Sequence, residues 1–436
     1  MKTKTNLLIL GITLFSLLSS CRNENDFYVD GLDLEQREIT MMVGKDTTLR
    51  VTKFYPKEPK EYELKWRSDY SSLIELDSIT GKVTAKAPGD AYIQVYLNNE
   101  PKGSCKIHID GVFDAKNDVY ICGFNNSQAV YWKNGIVHKL NTTKKYSQIN
   151  TTAIDVYNDD VYIVGYASGN TNGTSFDDVI CWKNGNQIFC SEQGSHTNYK
   201  LFVNNSNYYI LGFLTDPIIQ KTGLWKNGEK TNFLLENGTY THSIFVSNND
   251  VYVAGETTYD LKRTNDTNFL DCTIAKYWKN GQEIPLTDKN SVAGAWDVAT
   301  TGQNVYVVGW KLENGIRVAK YWKNNVEFNL NFDNEWSDAQ SIVINNDDVY
   351  ILGTQKSGDK YVPVYWKNGV ETKLEDNGDY NEHNEIEVSE NGDVYIAINN
   401  KNYYYKNGLK VYFAKLYPDY PSISDIKILS KKIGIK

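Results

Sequence analysis

The stretch that decides the fold is Asp348-Val349-Tyr350-Ile351-Leu352-Gly353, followed after a short gap by Tyr365-Trp366-Lys367-Asn368-Gly369. Recognisable copies of this two-part phrase fill the chain from about residue 112 to the end. The central tyrosines of the copies lie 42 to 54 residues apart, at Tyr120, Tyr162, Tyr209, Tyr252, Tyr306, Tyr350 and Tyr395. A repeat of nearly constant length indicates one structural unit used many times, so the fold is interpreted from the repeat first.

Each copy has the composition of four short β-strands joined by tight turns. In the sixth copy the predicted strands are 340–344, 348–352, 362–366 and 370–374, with Asn-Asp or Asn-Gly at the turns. β-branched and aromatic residues favour a packed, pleated surface, and Asn and Gly tolerate the positive φ of two-residue hairpins. Because so small a sheet must bury both faces against neighbours, the repeat predicts an all-β chain with a seven-bladed β-propeller over residues 111–436. Eight blades and an open β-solenoid are the alternatives.

Two further expectations concern how the copies assemble. The tryptophan of each second half-phrase is predicted to be a wedge between neighbouring sheets. The tail, 425–429 with 433–435, is similar to an additional first and second strand, and we expect it to pair with the first copy and close the ring. The runs of Asn and Asp before each Val-Tyr are typical of tight turns and lack the longer ligand spacing of a calcium loop.

The first 21 residues have the features of an export signal. Lys2 and Lys4 precede a mostly apolar run from Leu7 to Leu18, which is too short to span a bilayer. The closing Leu18-Ser19-Ser20-Cys21 resembles a bacterial lipobox, which implies that Cys21 is lipid-modified and anchors the protein to a membrane. The polar tether 22–30 is similar to those of surface lipoproteins of the Bacteroides group. The expected location is the outer membrane, facing the cell exterior, with a periplasm-facing anchor as the alternative.

Residues 31–110 form a second predicted unit. Alternating apolar residues, Trp66-Arg67-Ser68-Asp69 and the run from Thr80 to Ile93 with Gly81 and Gly89 predict a small β-sandwich with Trp66 in its core. The pattern resembles the bacterial Ig-like group 2 domain, which implies a spacer or adhesive stalk. The repeat region likewise resembles propeller-like Tyr-Trp-Lys-Asn-Gly repeats of surface proteins of the same bacterial group.

Composition and motifs narrow the function classes. The chain has 46 basic and 54 acidic residues, a net charge of −8, with no basic block, so nucleic acid is not an expected partner. No nucleophile elbow, zinc-protease motif or phosphate loop is present, and the expectation is a monomer that is not an enzyme, with no catalytic residue, metal or cofactor. Five cysteines remain besides Cys21. Cys122 is predicted to be a small core residue, and Cys181 and Cys190 are out of register for a disulfide.

The expected ligand site is the face of the ring that carries the variable loops, because binding residues concentrate on loops set on a rigid scaffold. Aromatic rings at the start of the first strands, with nearby polar groups, are typical of a sugar-binding platform. The candidate residues are Trp296, Trp336, Tyr240, Tyr380, Tyr146, Tyr199, His242, His383 and Asp338, with Glu335, Glu382 and His196 close by. Burial of these rings between sheets is the alternative. The expected partner is an extracellular glycan, or else another envelope protein, with polysaccharide cleavage a third hypothesis.

Overall fold

The computed structural model describes residues 31–71, 73–86, 89–110, 114, 116–125, 128–171, 174–192, 199–215, 220–233, 235, 238–259, 272–330, 335–374, 384–413 and 422–431. The predicted signal peptide, Cys21 and the tether lie outside these ranges, and so do residues 433–435 of the tail.

The N-terminal unit contains nine described strands. They are β1 (Gly31–Leu34), β2 (Glu38–Met42), β3 (Asp46–Thr48), β4 (Val51–Tyr55), β5 (Leu64–Arg67), β6 (Ile74–Leu76), β7 (Lys82–Ala85), β8 (Gly89–Leu97) and β9 (Glu100–Asp110). The strands form a four-stranded sheet in the order β2-β9-β8-β5, a three-stranded sheet β3-β7-β6 and the pair β1-β4. One core lies among them, and Trp66 is buried in it, as predicted.

The strands of the repeat region follow in chain order. They are β10 (Asn117–Asn125), β11 (Gln128–Lys133), β12 (Ile136–Lys139), β13 (Gln148–Tyr157), β14 (Asp160–Thr171), β15 (Thr174–Lys183), β16 (Asn186–Glu192), β17 (Lys200–Asn204), β18 (Asn207–Thr215), β19 (Gln220–Lys226), β20 (Glu229–Lys230), β21 (Thr239–Ser247), β22 (Asp250–Tyr259), β23 (Cys272–Lys279), β24 (Gln282–Pro285), β25 (Ala293–Thr301), β26 (Asn304–Glu313), β27 (Ile316–Lys323), β28 (Val326–Asn329), β29 (Ser337–Asn345), β30 (Asp348–Ser357), β31 (Lys360–Lys367), β32 (Val370–Lys373), β33 (Glu385–Val388), β34 (Val394–Ala397), β35 (Tyr403–Lys406), β36 (Leu409–Tyr412) and β37 (Ser422–Ser430).

In the described residues these strands form seven four-stranded antiparallel sheets, numbered 1 to 7 along the chain. Sheets 2 to 7 each consist of four consecutive strands, from β13–β16 to β33–β36. Sheet 1 contains β10, β11 and β12 and takes its first strand from the C-terminal β37, which pairs with β10 so that Tyr120 lies opposite Lys427. The expected pairing of residues 425–429 with the first copy is confirmed.

The first strands of the sheets, here called the inner strands, contact one another in the cyclic order β37, β13, β17, β21, β25, β29, β33 and back to β37. The architecture is therefore an all-β, propeller-like ring rather than an open rod. Pairing with β37 covers the edge of β10 that would otherwise be exposed.

The repeated phrase is a set of contacts at the tight-turn end of each sheet. In sheet 6, Asn368 accepts a hydrogen bond from the Val349 amide (2.9 Å) and donates one to Asp348 (2.7 Å). Lys367 pairs with Asp348 at 2.8 Å and lies 5.0 Å from the centroid of the Tyr350 ring. Equivalent hydrogen bonds and ion pairs recur in sheets 1, 2 and 4. The Asp, Tyr, Lys and Asn of the phrase therefore fasten one hairpin to the next.

The tryptophan of the phrase packs between sheets, as predicted. Trp366 is fully buried in a core cluster with Ala299, Tyr306 and Val308 of the preceding sheet. Trp322 packs in the same way against sheet 4. A fully buried indole contributes a large apolar area to each inter-sheet contact, which explains why the repeat keeps it.

Candidate functional site

The connections between strands give the ring two different faces. The turns from first to second and from third to fourth strand are the short Asn-Asp and Asn-Gly turns, with positive φ at residues such as Asn346 (53°) and Asn368 (51°). The remaining connections lie on the opposite face, called here the variable face, where each inner strand begins. Residues at the start of the inner strands are therefore placed at the mouth of the ring.

Within the described ranges, five inner strands contain a β-bulge close to the variable face, opposite the glycine of the phrase. A Cβ added at Gly353 would lie 2.0 Å from the carbonyl oxygen of Asp338, and a Cβ added at Gly309 would lie 2.0 Å from the carbonyl oxygen of Gly294. The glycine is thus required because a bulged backbone occupies the space of a side chain. Each bulge adds one residue to its inner strand; these residues are Thr152, His242, Trp296, Gln340 and Ser424.

A cavity of about 190 Å³ lies along the axis of the ring and is lined by all seven inner strands. The strand registers place the lining side chains at two levels. The level nearer the variable face contains Asp425, Ala153, Lys200, Ser243, Asp297, Ser341 and Glu385. The next level contains Lys427, Asp155, Phe202, Phe245, Ala299, Val343 and Glu387.

Ion pairs connect the inner strands across this channel. Lys200 lies 2.7 Å from Glu385, which also accepts a hydrogen bond from Ser341 (2.9 Å). Lys427 lies 2.6 Å from Glu387 and 3.7 Å from Asp155. Burial alone would lower the pKa of Lys427, but these two carboxylates outweigh burial and raise it. Both lysines are therefore already paired by groups of the channel itself.

The side chains of two aspartates accept hydrogen bonds from backbone amides of neighbouring inner strands and so link these strands. Asp425 accepts hydrogen bonds from the Ile154 and Ile426 amides (2.9 and 2.7 Å), so both carboxylate oxygens are engaged. Asp297 accepts in the same way from Ile342 and Val298, both at 2.8 Å. Burial, and then the charge of Glu385, raises the pKa of Asp297 to about 6. The polar groups of the channel therefore bind one another and hold the inner strands together, which leaves the mouth of the ring as the candidate ligand site.

At the mouth, on sheets 5 and 6, three indoles surround one guanidinium. The central carbon of Arg317 lies 4.0 Å from the ring centroid of Trp310, 5.4 Å from that of Trp336 and 5.9 Å from that of Trp296. Trp336 also meets Tyr361 edge-on, with centroids 5.1 Å apart. All three indole contacts fall within the range of a cation–π interaction. We call these five residues the Arg-Trp cluster.

A buried polar layer lies beneath the Arg-Trp cluster. The carboxylate of Asp338, which has no exposed surface, lies 3.8 Å from the guanidinium of Arg317. Its Oδ1 accepts hydrogen bonds from the Thr354 amide and from Gln340, both at 3.1 Å. Gln340 in turn accepts a hydrogen bond from the Asn384 amide of sheet 7 (3.1 Å). This layer connects sheets 5, 6 and 7 and holds the guanidinium in place.

On sheet 4, His242 extends the same surface. Its Nε2 lies 2.9 Å from both carboxylate oxygens of Glu256, and its ring centroid lies 6.1 Å from that of Trp296. Tyr240, near the start of the same inner strand, is 43% exposed. Of the residues that the sequence singled out, Trp296, Trp336, Asp338 and His242 therefore come together on three adjacent sheets, and Tyr240 lies at the same end of sheet 4.

Other predicted site residues lie elsewhere. Tyr146 is on sheet 2, across the ring, where it donates a hydrogen bond to Asp178 (2.8 Å). Tyr199 is fully buried, and its ring fills the space beside Gly212, so it is a packing residue and not a surface contact. Asp338 does not offer a free edge to a ligand, because it is buried and engaged with Thr354 and Gln340. Tyr380, His383, Glu382 and His196 lie outside the described residues.

Three residues of the site were missed by sequence reasoning. Trp310, Arg317 and Tyr361 are contributed by second and third strands, whereas only the entries to the first strands were considered. A signal for Trp310 was present, since it directly follows the repeated glycine and so extends the second strand onto the variable face.

The five remaining cysteines carry free thiols. Cys122 is fully buried, as predicted, and burial raises the pKa of its thiol. Lys183 lies opposite Asn186, and a bulge then places Cys181 opposite Phe189, while Cys190 lies opposite Ile180. The two sulfurs are therefore on non-paired positions.

The described ranges contain neither a metal-binding cluster nor a membrane-spanning helix. No group of three or more His, Cys, Asp or Glu side chains is placed to hold a metal ion. No helix of membrane-spanning length and hydrophobicity is found.

No protein-family model matches the chain, and no curated protein matches its sequence. Solved structures with a similar fold exist. The β-propeller domain of the Trilobed protease from Pyrococcus furiosus is 11% identical, with 63% of this chain and 98% of that chain covered and a TM-score of 0.35. An auxiliary nutrient binding protein from Bacteroides thetaiotaomicron is 10% identical over 84% of this chain and 94% of that chain, with a TM-score of 0.37. A thermostable family-43 glycoside hydrolase is 14% identical over 54% and 90%, with a TM-score of 0.28.

The comparisons correct one expectation. The chain was predicted not to be an enzyme because its sequence carries no catalytic motif, yet most of these similar structures are glycoside hydrolases or peptidases. The prediction is wrong as a conclusion, since absence of a motif does not separate binding propellers from catalytic ones. At these identities and TM-scores the likeness concerns the fold alone.

Proposed function

We propose that this protein is a surface receptor whose seven sheets act as the blades of a propeller and whose Arg-Trp cluster binds an extracellular glycan. The observation that carries the proposal is the convergence of Trp296, Trp310, Trp336 and Tyr361 at the mouth of the ring. Indole and phenol rings offer flat apolar faces on which the C–H face of a sugar stacks, and neighbouring polar groups orient its hydroxyls.

The support of the cluster also favours a binding role. Trp296 stands on a bulged inner strand, Trp336 directly precedes another, and the guanidinium is held by a buried carboxylate, so the surface is organised before a ligand arrives. A preformed site loses less conformational entropy on binding than a flexible one. His242 and Glu256 continue this surface across sheet 4 and would extend contact to a second sugar unit.

For the rest of the chain we propose an outer-membrane lipoprotein exposed at the cell surface. Cys21 would carry the lipid, the residues after it would act as a tether, and residues 31–110 would be an Ig-like stalk that holds the ring away from the membrane. Several acyl chains give stable anchoring, because each buried CH₂ contributes about 0.8 kcal/mol. Metabolic labelling with a radioactive fatty acid tests the anchor: label should enter the wild type and be lost in Cys21→Ala.

The binding proposal is tested with residues 22–436 on an array of polysaccharides, followed by calorimetry with the best ligand. Trp336→Ala should weaken binding about fivefold to 150-fold, since stacking on one aromatic ring contributes about 1–3 kcal/mol. Phe328→Ala is the matched control: Phe328 is 45% exposed on the outer strand β28, away from the cluster, and its loss should leave affinity unchanged.

The result that opposes the proposal is equally specific. An array without any bound glycan, or glycan affinity that Trp336→Ala leaves intact, would contradict it. The same samples are assayed for release of reducing ends, so that a cleaving protein is distinguished from one that only binds.

A further inference from the structure

The guanidinium of Arg317 is held in place without using its hydrogen-bond donors. Within the described residues its contacts are the three indoles and the carboxylate of Asp338 at 3.8 Å, which exceeds hydrogen-bond distance. The side chain keeps 25% of its surface exposed, on the hairpin between β26 and β27 at the variable face. A guanidinium carries five N–H donors in a planar fork that matches a carboxylate.

The Asp338 carboxylate beneath Arg317 holds the guanidinium in position but accepts no hydrogen bond from it, at a distance of 3.8 Å. Asp338 Oδ1 is already bonded to the Thr354 amide and to Gln340, and the whole residue is buried. Its partner Arg317 therefore presents a fork whose back is packed on Trp310 and whose N–H groups remain available.

We propose that Arg317 makes the site selective for acidic glycans, and that it binds the carboxylate of a uronic-acid unit while the sugar ring stacks on Trp336 or Trp296. This inference depends on the proposed glycan-binding function and specifies its ligand class. The planar, two-pronged fork of the guanidinium pairs bidentately with a carboxylate, and it can accept two oxygens of a sulfate ester in the same way, so the titration below includes both anions.

The nearby acidic groups limit which anion fits. Glu256 is engaged with His242, and Glu385 and Glu387 are paired with lysines inside the channel. A carboxylate at the end of a sugar unit reaches Arg317 from the solvent side without approaching these groups. A free anion that entered the channel would meet them. The expected ligand is thus a saccharide that remains at the mouth.

The test compares uronic-acid polysaccharides with their neutral counterparts. Residues 22–436 are titrated with oligosaccharides of polygalacturonate, alginate and glucuronoxylan, and with the same oligosaccharides after methyl esterification, which removes the charge and keeps the ring. At least one acid form should bind, and esterification should weaken it about tenfold to a hundredfold, the range of a charge-assisted hydrogen-bonded pair. A sulfated glycan is included as the competing anion.

Variants of Arg317 supply the second measurement. Arg317→Met keeps a long side chain among the indoles, and should reduce affinity for the acid form to that of the ester. Arg317→Lys keeps the charge without the fork and should give an intermediate loss. If Arg317→Met does not fold, the esterification experiment, which uses the wild type, decides alone.

The outcomes separate the two proposals. Equal binding of acid and ester overturns the role of Arg317, and tighter binding of the sulfated glycan overturns the uronic-acid ligand. If in addition Trp336→Ala weakens binding, the glycan-binding function is kept. Absence of binding to any glycan overturns both.

Discussion

The substitution Gly353→Ala tests the link between the repeat and the bulged inner strands. The added methyl group would lie 2.0 Å from the Asp338 carbonyl oxygen and 3.0 Å from both its carbonyl carbon and the Trp366 ring. Ordinary carbon contacts are about 3.5–4.0 Å, so the backbone of the inner strand must move by more than about 1 Å. Overpacking of a core typically costs about 1–3 kcal/mol. Because the obstruction is backbone, we expect a loss of about 3 kcal/mol or more.

Gly369→Ala, in the same sheet, is the matched control. Gly369 has φ of +82° but no neighbour within 4 Å of an added Cβ, so only the left-handed backbone is penalised, at about 1–2 kcal/mol. Both variants are unfolded in urea and followed by tryptophan fluorescence, and glycan affinity is measured in parallel. Gly353→Ala should also weaken binding, since Asp338 positions Arg317, whereas Gly369→Ala should not. Equal destabilisation by the two substitutions would refute the reasoning.

Three further predictions concern stability. Ile426→Ala removes a buried side chain of β37 and should lower the free energy of unfolding in urea by about 2–5 kcal/mol. Leu409 is 74% exposed, so Leu409→Ala should leave this free energy nearly unchanged. Equal losses in the two variants would argue against closure of the ring by β37. Burial would raise the pKa of Asp114, but hydrogen bonds from Lys406, Tyr395 and the Lys116 amide lower this pKa to about 2. The ionised carboxylate therefore stabilises the fold at pH values above its unfolded pKa of 3.8, and this contribution is lost as pH falls towards 2. Asp114→Ala should therefore cost roughly 2 kcal/mol more at pH 6 than at pH 2.5, and a pH-independent difference would contradict the assignment. Because the described cysteines are free, a reducing agent should leave the melting temperature unchanged, and a drop would reveal a disulfide.

Most of the sheet architecture was predictable because the repeat records it several times. In the sixth copy the four predicted strands match β29 to β32, each within three residues at its start. The turns follow from Asn and Gly, whose tolerance of positive φ is a local property. The wedge role of Trp366 also follows from the repeat, since a large aromatic residue at the same register position of each sheet packs against a neighbouring sheet.

The candidate site was predictable only in part, because it depends on register and on contacts between sheets. Tyr199 directly precedes its inner strand as Trp336 does, but no bulge is described in its sheet, and its ring lies beside Gly212 in the space that a bulged backbone takes elsewhere. Arg317 lies outside the repeated phrase, on a hairpin whose neighbours come from the next sheet. Neither fact can be read from spacing along the chain.

The most direct test of the central claim is a crystal structure of residues 22–436 bound to the acidic oligosaccharide selected by titration. If the Arg-Trp cluster binds acidic glycans, a sugar ring should lie about 4 Å from the indole of Trp336 or Trp296, with its carboxylate about 3 Å from the nitrogens of Arg317. A ligand bound on the face of the Asn-Gly turns, or on the N-terminal unit, would contradict it.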